Sequence, residues 1–268
     1  TAYEIMPSLV GSEMCIRDRY TLDGSKPTLY SQTYEEPIFI DSNPNTWVMD
    51  LSACEKAMQK YKPKALISVD LYGQSCDYNA ILDLCKKYGA LFYLDETVTG
   101  FRVAAGGCAE LYGLKPDLVT YGKAVGGGMP IGVVAGSKMV MNAFSGADDS
   151  PVIFAGGTFN GHPLTMVAGI AILEHLKKNQ EEIYPYLHEQ GNRIANEINE
   201  FCSSNNIAAQ MMNAGSMMHL IFSGDTIDSA RDIGRSKIEK EFYLHLLGHN
   251  VIVPGIHLAF ISFAHKPD

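Results

Sequence analysis

Apolar residues along this chain fall into two kinds of run. Short, mostly apolar runs, Ala65 to Leu71 and Ala90 to Leu94, have the length and β-former content of buried strands. Between them Tyr78 to Tyr88 sets Ile81, Leu82 and Leu84 among polar residues, which predicts an amphipathic helix. Strand, helix, strand in that order predicts parallel pairing. Two further strands are predicted at Leu118 to Tyr121 and Ile131 to Ala135, separated by the glycines Gly126 to Gly128. Downstream, Pro163 suits a first helical turn. Met166, Gly169, Ile170, Leu173 and Leu176 then recur at helical spacing, giving a helix to about Lys178. A second helix is predicted over Ile183 to Phe201. Short strands follow near Met217 to Phe222, a helix near Ser236 to Leu247, and strands at Val251 to Val253 and Leu258 to Phe263. The pattern predicts an α/β fold with a mostly parallel sheet, followed by a smaller C-terminal α+β domain.

The first residues differ in character. SLVGSEMCIRDR, from Ser8 to Arg19, resembles a translated adaptor sequence and carries no fold inference. From Tyr20 to Ile38, Asp23-Gly24 between β-formers and then Pro27 predict a hairpin, and the stretch also resembles a small β module of chitobiase-type enzymes.

Composition narrows the function classes. A net charge of -9 argues against a nucleic-acid partner, which would need clustered Lys and Arg. The six cysteines form no CxxC pair and no Cys/His cluster at metal-ligand spacing, so reduced thiols in a cytoplasm and no metal site are expected. No apolar run reaches the ~20 residues that span a bilayer. The expectation is a cytoplasmic protein that neither enters a membrane nor is secreted.

Two places carry candidate chemistry. ALFYLDETVTGFR sets Asp95 and Glu96 at the C-terminal end of a predicted buried strand, the edge at which open α/β sheets bind ligands. A carboxylate there needs a cationic or proton-donating partner. The alternative is an acidic pair that caps the next loop or pairs with Arg102. Lys123 follows the strand DLVTYG and precedes AVGGGMPIG. A lysine at a strand end facing a cleft is suited to imine formation where burial or a nearby positive charge disfavours its ammonium form. A solvated lysine beside flexible glycines is the other reading.

Together, DETVTGFR, Lys123 after it, GGGMPIG, GGTFNGHPLTMVAG and the final IVPGIHLAFISFAH resemble the class III aminotransferases, most closely their glutamate-1-semialdehyde 2,1-aminomutase branch. The resemblance runs from about Leu84 to the C-terminus. It implies a partial fold type I pyridoxal-phosphate transferase, with pyridoxal 5'-phosphate as cofactor and a small amino or keto compound as substrate. Asp95 is then the partner of the pyridinium nitrogen, Lys123 the Schiff-base lysine that also shuttles a proton, and Thr97 a residue lying against the ring. Thr158 matches the threonine that reaches the cofactor phosphate of a neighbouring subunit, which implies a homodimer. His162, His257 and His265 are expected to be structural.

Upstream of Leu84, FIDSNPNTWVMDL and KALISVDLYGQSCDYNAILDLCKKYGA look instead like the nucleotide-sugar aminotransferases. The class III family's N-terminal part, with its phosphate-cradling loop and ring-stacking aromatic, has no counterpart in these residues, so weak or absent cofactor binding is expected. The expected division is a non-family segment 1–38, a partial cofactor-binding large domain 39–178 and a small domain 179–268. Three functional readings follow: an aminomutase, a class III transaminase with separate donor and acceptor, and a non-catalytic chimera.

Overall fold

The computed structural model describes residues 19–20, 32–33, 40, 49–69, 76–145, 153, 156–223, 237–252 and 258–266. Arg19–Tyr20 (β1) and Gln32–Thr33 (β2) pair antiparallel, with Tyr20 opposite Gln32. Asp23, Gly24, Pro27 and the adaptor-like stretch before Arg19 lie outside the described residues.

The main sheet has four strands in the order β3 (Ala65–Val69), β4 (Leu91–Glu96), β5 (Leu118–Tyr121) and β6 (Val133–Gly136). The first three run parallel and β6 runs antiparallel beside β5. Helices α1 (Leu51–Tyr61) and α2 (Tyr78–Tyr88) cover one face. Asp50 caps α1 by accepting from the backbone of Ser52 and Ala53 at 2.9 and 3.0 Å, and Asp77 caps α2 by accepting from Ala80 at 3.0 Å. Gly89, with φ 64°, ends α2 in the left-handed conformation. The strand's two-residue alternation fixes the core: Phe92, Leu94 and Glu96 of β4 turn inward, where Phe92 and Leu94 join Cys54, Met58, Ile81 and Cys85. Burial pushes the Cys85 thiol up to about 11 and the Cys54 thiol upward as well, so both serve as core side chains.

The opposite face carries the row Val69, Asp95, Thr120 and Val134, set by strand register. Here Ile67, Val69 and Val134 are exposed. Mostly parallel sheets are normally covered on both faces. Among the described residues this one is covered on one.

Between β4 and β5 lies the short helix α3 (Gly107–Leu111), and α4 (Lys138–Ser145) follows β6. The two helices expected from the sequence follow one another within Pro163–Ser204 (α5), joined across a kink. The kink lies at Asn179, whose φ and ψ of -115° and 18° are not helical. The Asn179 side chain donates to the His175 carbonyl at 2.8 Å, in competition with the backbone, and Pro185 further on has no N–H to give. The two periodic stretches read from the sequence are the two arms of this bent helix. Its first arm packs along the 3-10 turn Lys123–Gly126, and its second along β7 (Gln210–Ala214).

β7, β8 (Met217–Ile221) and β9 (Ala259–Phe260) form an antiparallel sheet, with α6 (Lys237–Gly248) between β8 and β9 in the chain. Val251 and Ile252 are not in a strand, contrary to expectation, and Val253 lies outside the described residues. Ile252 is 83 % exposed, so these apolar residues have no sheet partner to fix them as a strand. Helices α1, α3 and α4 and strand β7 have no counterpart in the sequence expectations. Among the described residues no helix is long and apolar enough to cross a membrane.

Candidate active site

The two acids at the end of β4 part company, because successive side chains leave opposite faces of a strand. Glu96 is fully buried. It accepts from the Thr99 hydroxyl at 2.6 Å and from the backbone N–H groups of Cys108 and Ala109 at 2.9 and 2.8 Å. A side chain at position 107 would collide with this carboxylate, and Gly107 also has φ 68°, so only glycine suits the turn. Glu96 is thus the acid that caps the next loop. Neither acid pairs with Arg102.

Asp95 faces the open side. Its Oδ1 accepts from the Thr97 backbone N–H at 2.8 Å and from the Thr120 hydroxyl at 3.3 Å. Thr120 Oγ1 also lies 2.9 Å from the Tyr93 hydroxyl. With the Thr120 proton directed to Asp95, Tyr93 is the donor of that second bond. Burial pushes the Tyr93 hydroxyl pKa upward, which keeps the donor protonated. Asp95 Oδ2 accepts no hydrogen bond from any described residue.

Lys123 follows the neighbouring strand, three residues past Thr120, the register partner of Asp95. At ~4.8 Å between strands and ~3.3 Å rise per residue, the Cα atoms of Asp95 and Lys123 lie roughly 11 Å apart. Lys123 adopts φ 48°, a left-handed conformation uncommon for a residue with a side chain. Its side chain is exposed. Thr97 is half-buried, and its Cγ2 stands 3.1 Å from where a side chain on Gly122 would begin, beside Lys123. Thr158 lies apart, in an exposed turn before α5.

A cleft of about 580 Å³ opens at Lys123, lined by Val98, Arg102, Lys123, Ala124, Gly128, Met129, Pro130 and Phe260. Asp95, Thr97 and Thr158 are not among its lining residues. The loop that supplies Val98 and Arg102 is held from two sides. Glu96 fastens it inside, while on α5 Tyr184 donates to the Phe101 carbonyl at 3.1 Å and His188 Nε2 lies 3.0 Å from the Val103 carbonyl. Phe101 has φ 60° and packs on Tyr121 at 4.9 Å between ring centroids.

His162 stands at the start of α5 and His265 accepts from the Ser262 backbone at 3.0 Å, local roles that agree with the structural reading. His257 lies outside the described residues. Tyr93 and Thr120 were missed by the sequence reading. Alternation alone would have put Tyr93 on the face of Asp95; only strand register brings Thr120 to it.

The open α/β sheet is shared with solved transaminases. An omega-transaminase from Sphaerobacter thermophilus shares the fold with a TM-score of 0.69 at 24 % identity, over 80 % of this chain and 51 % of that one. A glutamate-1-semialdehyde aminomutase from Pseudomonas aeruginosa shares it with a TM-score of 0.69 at 18 % identity, over 85 % and 52 %. The chain belongs to the class III aminotransferase family, whose profile matches residues 74–265. The DegT/DnrJ/EryC1/StrS aminotransferase family matches residues 28–99, so the two matches overlap on α2 and β4. A glutamate-1-semialdehyde 2,1-aminomutase of Thermus thermophilus is 37 % identical over 72 % of this chain and 45 % of its own length, and one of Clostridium botulinum is 35 % identical over 69 % and 44 %. The chain thus spans somewhat under half the length of these relatives.

One pH dependence follows from the anchored loop. Burial, and secondarily Glu110, push the Tyr184 hydroxyl up to about 12, with Arg102 opposing. The folded chain then holds this proton more tightly than an unfolded chain, in which tyrosine titrates near ~10. The resulting stability is complete below about pH 10 and is lost as pH rises toward 12. Urea titrations between those pH values should show a steeper loss in the wild type than in Tyr184→Phe.

Proposed function

We propose that this chain is the C-terminal part of a pyridoxal-phosphate enzyme that moves an amino group, with Lys123 and Asp95 at the two ends of the cofactor ring. The observation that carries this reading is their position at the carboxyl ends of neighbouring parallel strands, with Asp95 Oδ1 held by two donors and Oδ2 open. When bound, pyridoxal phosphate supplies an aldehyde that combines with amines and a ring that draws electrons from the carbon bearing nitrogen. Lys123 would hold the cofactor through its amine and would carry a proton on and off the substrate carbon. Asp95 Oδ2 would accept from the ring N–H, with Thr120 and the Thr97 backbone fixing that carboxylate, and Thr97 would lie by the ring.

Thr158 supports a dimer: it is exposed next to Phe159, Leu164, Val167 and Ile170, which are 79, 60, 64 and 53 % exposed and form an apolar surface suited to a second copy. A large-domain part to residue 178 and a small domain from 179 belong to the same reading, supported by the kink at Asn179. A cytoplasmic location is also part of it.

A second reading, a non-catalytic chimera, is favoured by the two family matches that meet at 74–99. Borohydride reduction of the chain with pyridoxal phosphate, followed by peptide mapping, separates the two. A pyridoxyl label on Lys123, lost in Lys123→Ala, is expected; a label spread over surface lysines supports the chimera. For the reaction itself, glutamate-1-semialdehyde should turn over without an added amino donor, and a strict donor requirement identifies a transaminase instead. In sedimentation, Val167→Asp with Ile170→Asp should convert dimer to monomer.

A further inference from the structure

Helix α6 ends on a pair of histidines. His245 and His249 are four residues apart, so they stand one above the other on the same helix face, ~6 Å along the axis. Both side chains are exposed, and their ring centroids are 4.2 Å apart with 36° between the ring planes. His249 Nδ1 lies 2.9 Å from the His245 carbonyl oxygen. A carbonyl oxygen only accepts, so Nδ1 carries the proton and Nε2 keeps the lone pair. Among the described residues neither His249 Nε2 nor either ring nitrogen of His245 has a hydrogen-bond partner.

Metal-binding imidazoles are held in this way: a backbone carbonyl takes the proton of one ring nitrogen and leaves the other free to coordinate. Two nitrogens on a tetrahedral ion, at bond lengths of ~2.0–2.1 Å, are about 3.4 Å apart, a span that rings at this separation can bridge. The position adds a favourable field, since the last carbonyls give a helix C-terminus a partial negative charge that attracts cations. Glu241, one turn earlier on the same face, is engaged by Lys237 at 3.5 Å. Among the described residues no group of three or more His, Cys, Asp or Glu could hold a metal ion, so an ion here has two protein ligands and completes its shell with water.

We propose that His245 and His249 form a two-histidine site for a divalent transition metal, of the zinc and copper kind. Imidazole nitrogen suits these ions, whereas magnesium and calcium favour oxygen. A bound ion would fasten the last turn of α6 to the turn that follows it, since His249 lies just past the helix end at Gly248. The sequence expectation of no metal site rested on sets that include cysteine, and this pair includes none. The site is also independent of the reading of Lys123.

The full chain is titrated with zinc chloride while the ring signals of its eight histidines are followed by NMR. The rings of His245 and His249 should respond together, with one shared midpoint, and magnesium chloride at the same concentration should move neither. His245→Ala keeps the carbonyl that holds His249 but removes a ligand, so zinc should bind at His249 about tenfold or more weakly, as when a two-point attachment becomes one-point. His249→Gln should weaken the His245 response in the same way. His175→Ala, on α5, should leave the midpoint unchanged. Separate midpoints for the two rings, a response of either ring that is unchanged when the other is removed, or equal shifts with magnesium would overturn the proposal. So would zinc uptake confined to cysteine thiols with both rings unmoved. The wild-type titration decides the matter even where a variant does not fold, because the shared midpoint is read without any substitution.

Discussion

A carboxylate without access to water ends strand β4, and the organisation of the cleft depends on it. Glu96 is satisfied by one hydroxyl and two backbone N–H groups, all from the loop and short helix that follow. An unmatched carboxylate in that position would cost several kcal/mol. The loop is therefore drawn onto the strand end, and Val98, Phe101 and Arg102 are presented from a fixed frame. Because a strand alternates its side chains, fixing Glu96 inward also fixes Asp95 outward.

The outward side of β4 has its own order. Tyr93, Thr120 and Asp95 form a directed chain of hydrogen bonds that ends on one oxygen of the carboxylate. The other oxygen is left for a ligand. Next to it, α5 links the Lys123 turn to the C-terminal sheet, so one bent helix touches both the lysine and the strands behind Arg102. The site is thus assembled from a parallel sheet edge, a tethered loop and a helix that spans the two regions.

The uncovered sheet face and the exposed start of α5 both present apolar side chains. Ile67, Val69 and Val134 lie on one side, Leu164, Val167 and Ile170 on the other. Apolar surface of this extent is normally buried against further protein. The chain covers 45 % of the length of the Thermus thermophilus relative.

The sequence by itself determined the strands around Asp95, the helix Tyr78–Tyr88 and the family, because short apolar runs, helical spacing and ordered motifs are local properties. It also offered loop capping as one role for the acidic pair, and Glu96 alone of the two fills it. It also placed a break after about Lys178, and the non-helical Asn179 falls there. It gave no sign of α1, whose apolar positions are too few to stand out before packing. Tertiary structure alone decided that Thr120 would lie beside Asp95, that Arg102 would stand in the cleft without an acid, and that Lys123 would be open to solvent. Those outcomes depend on strand register and on which surfaces are covered, and neither is encoded in the spacing of residues along one segment.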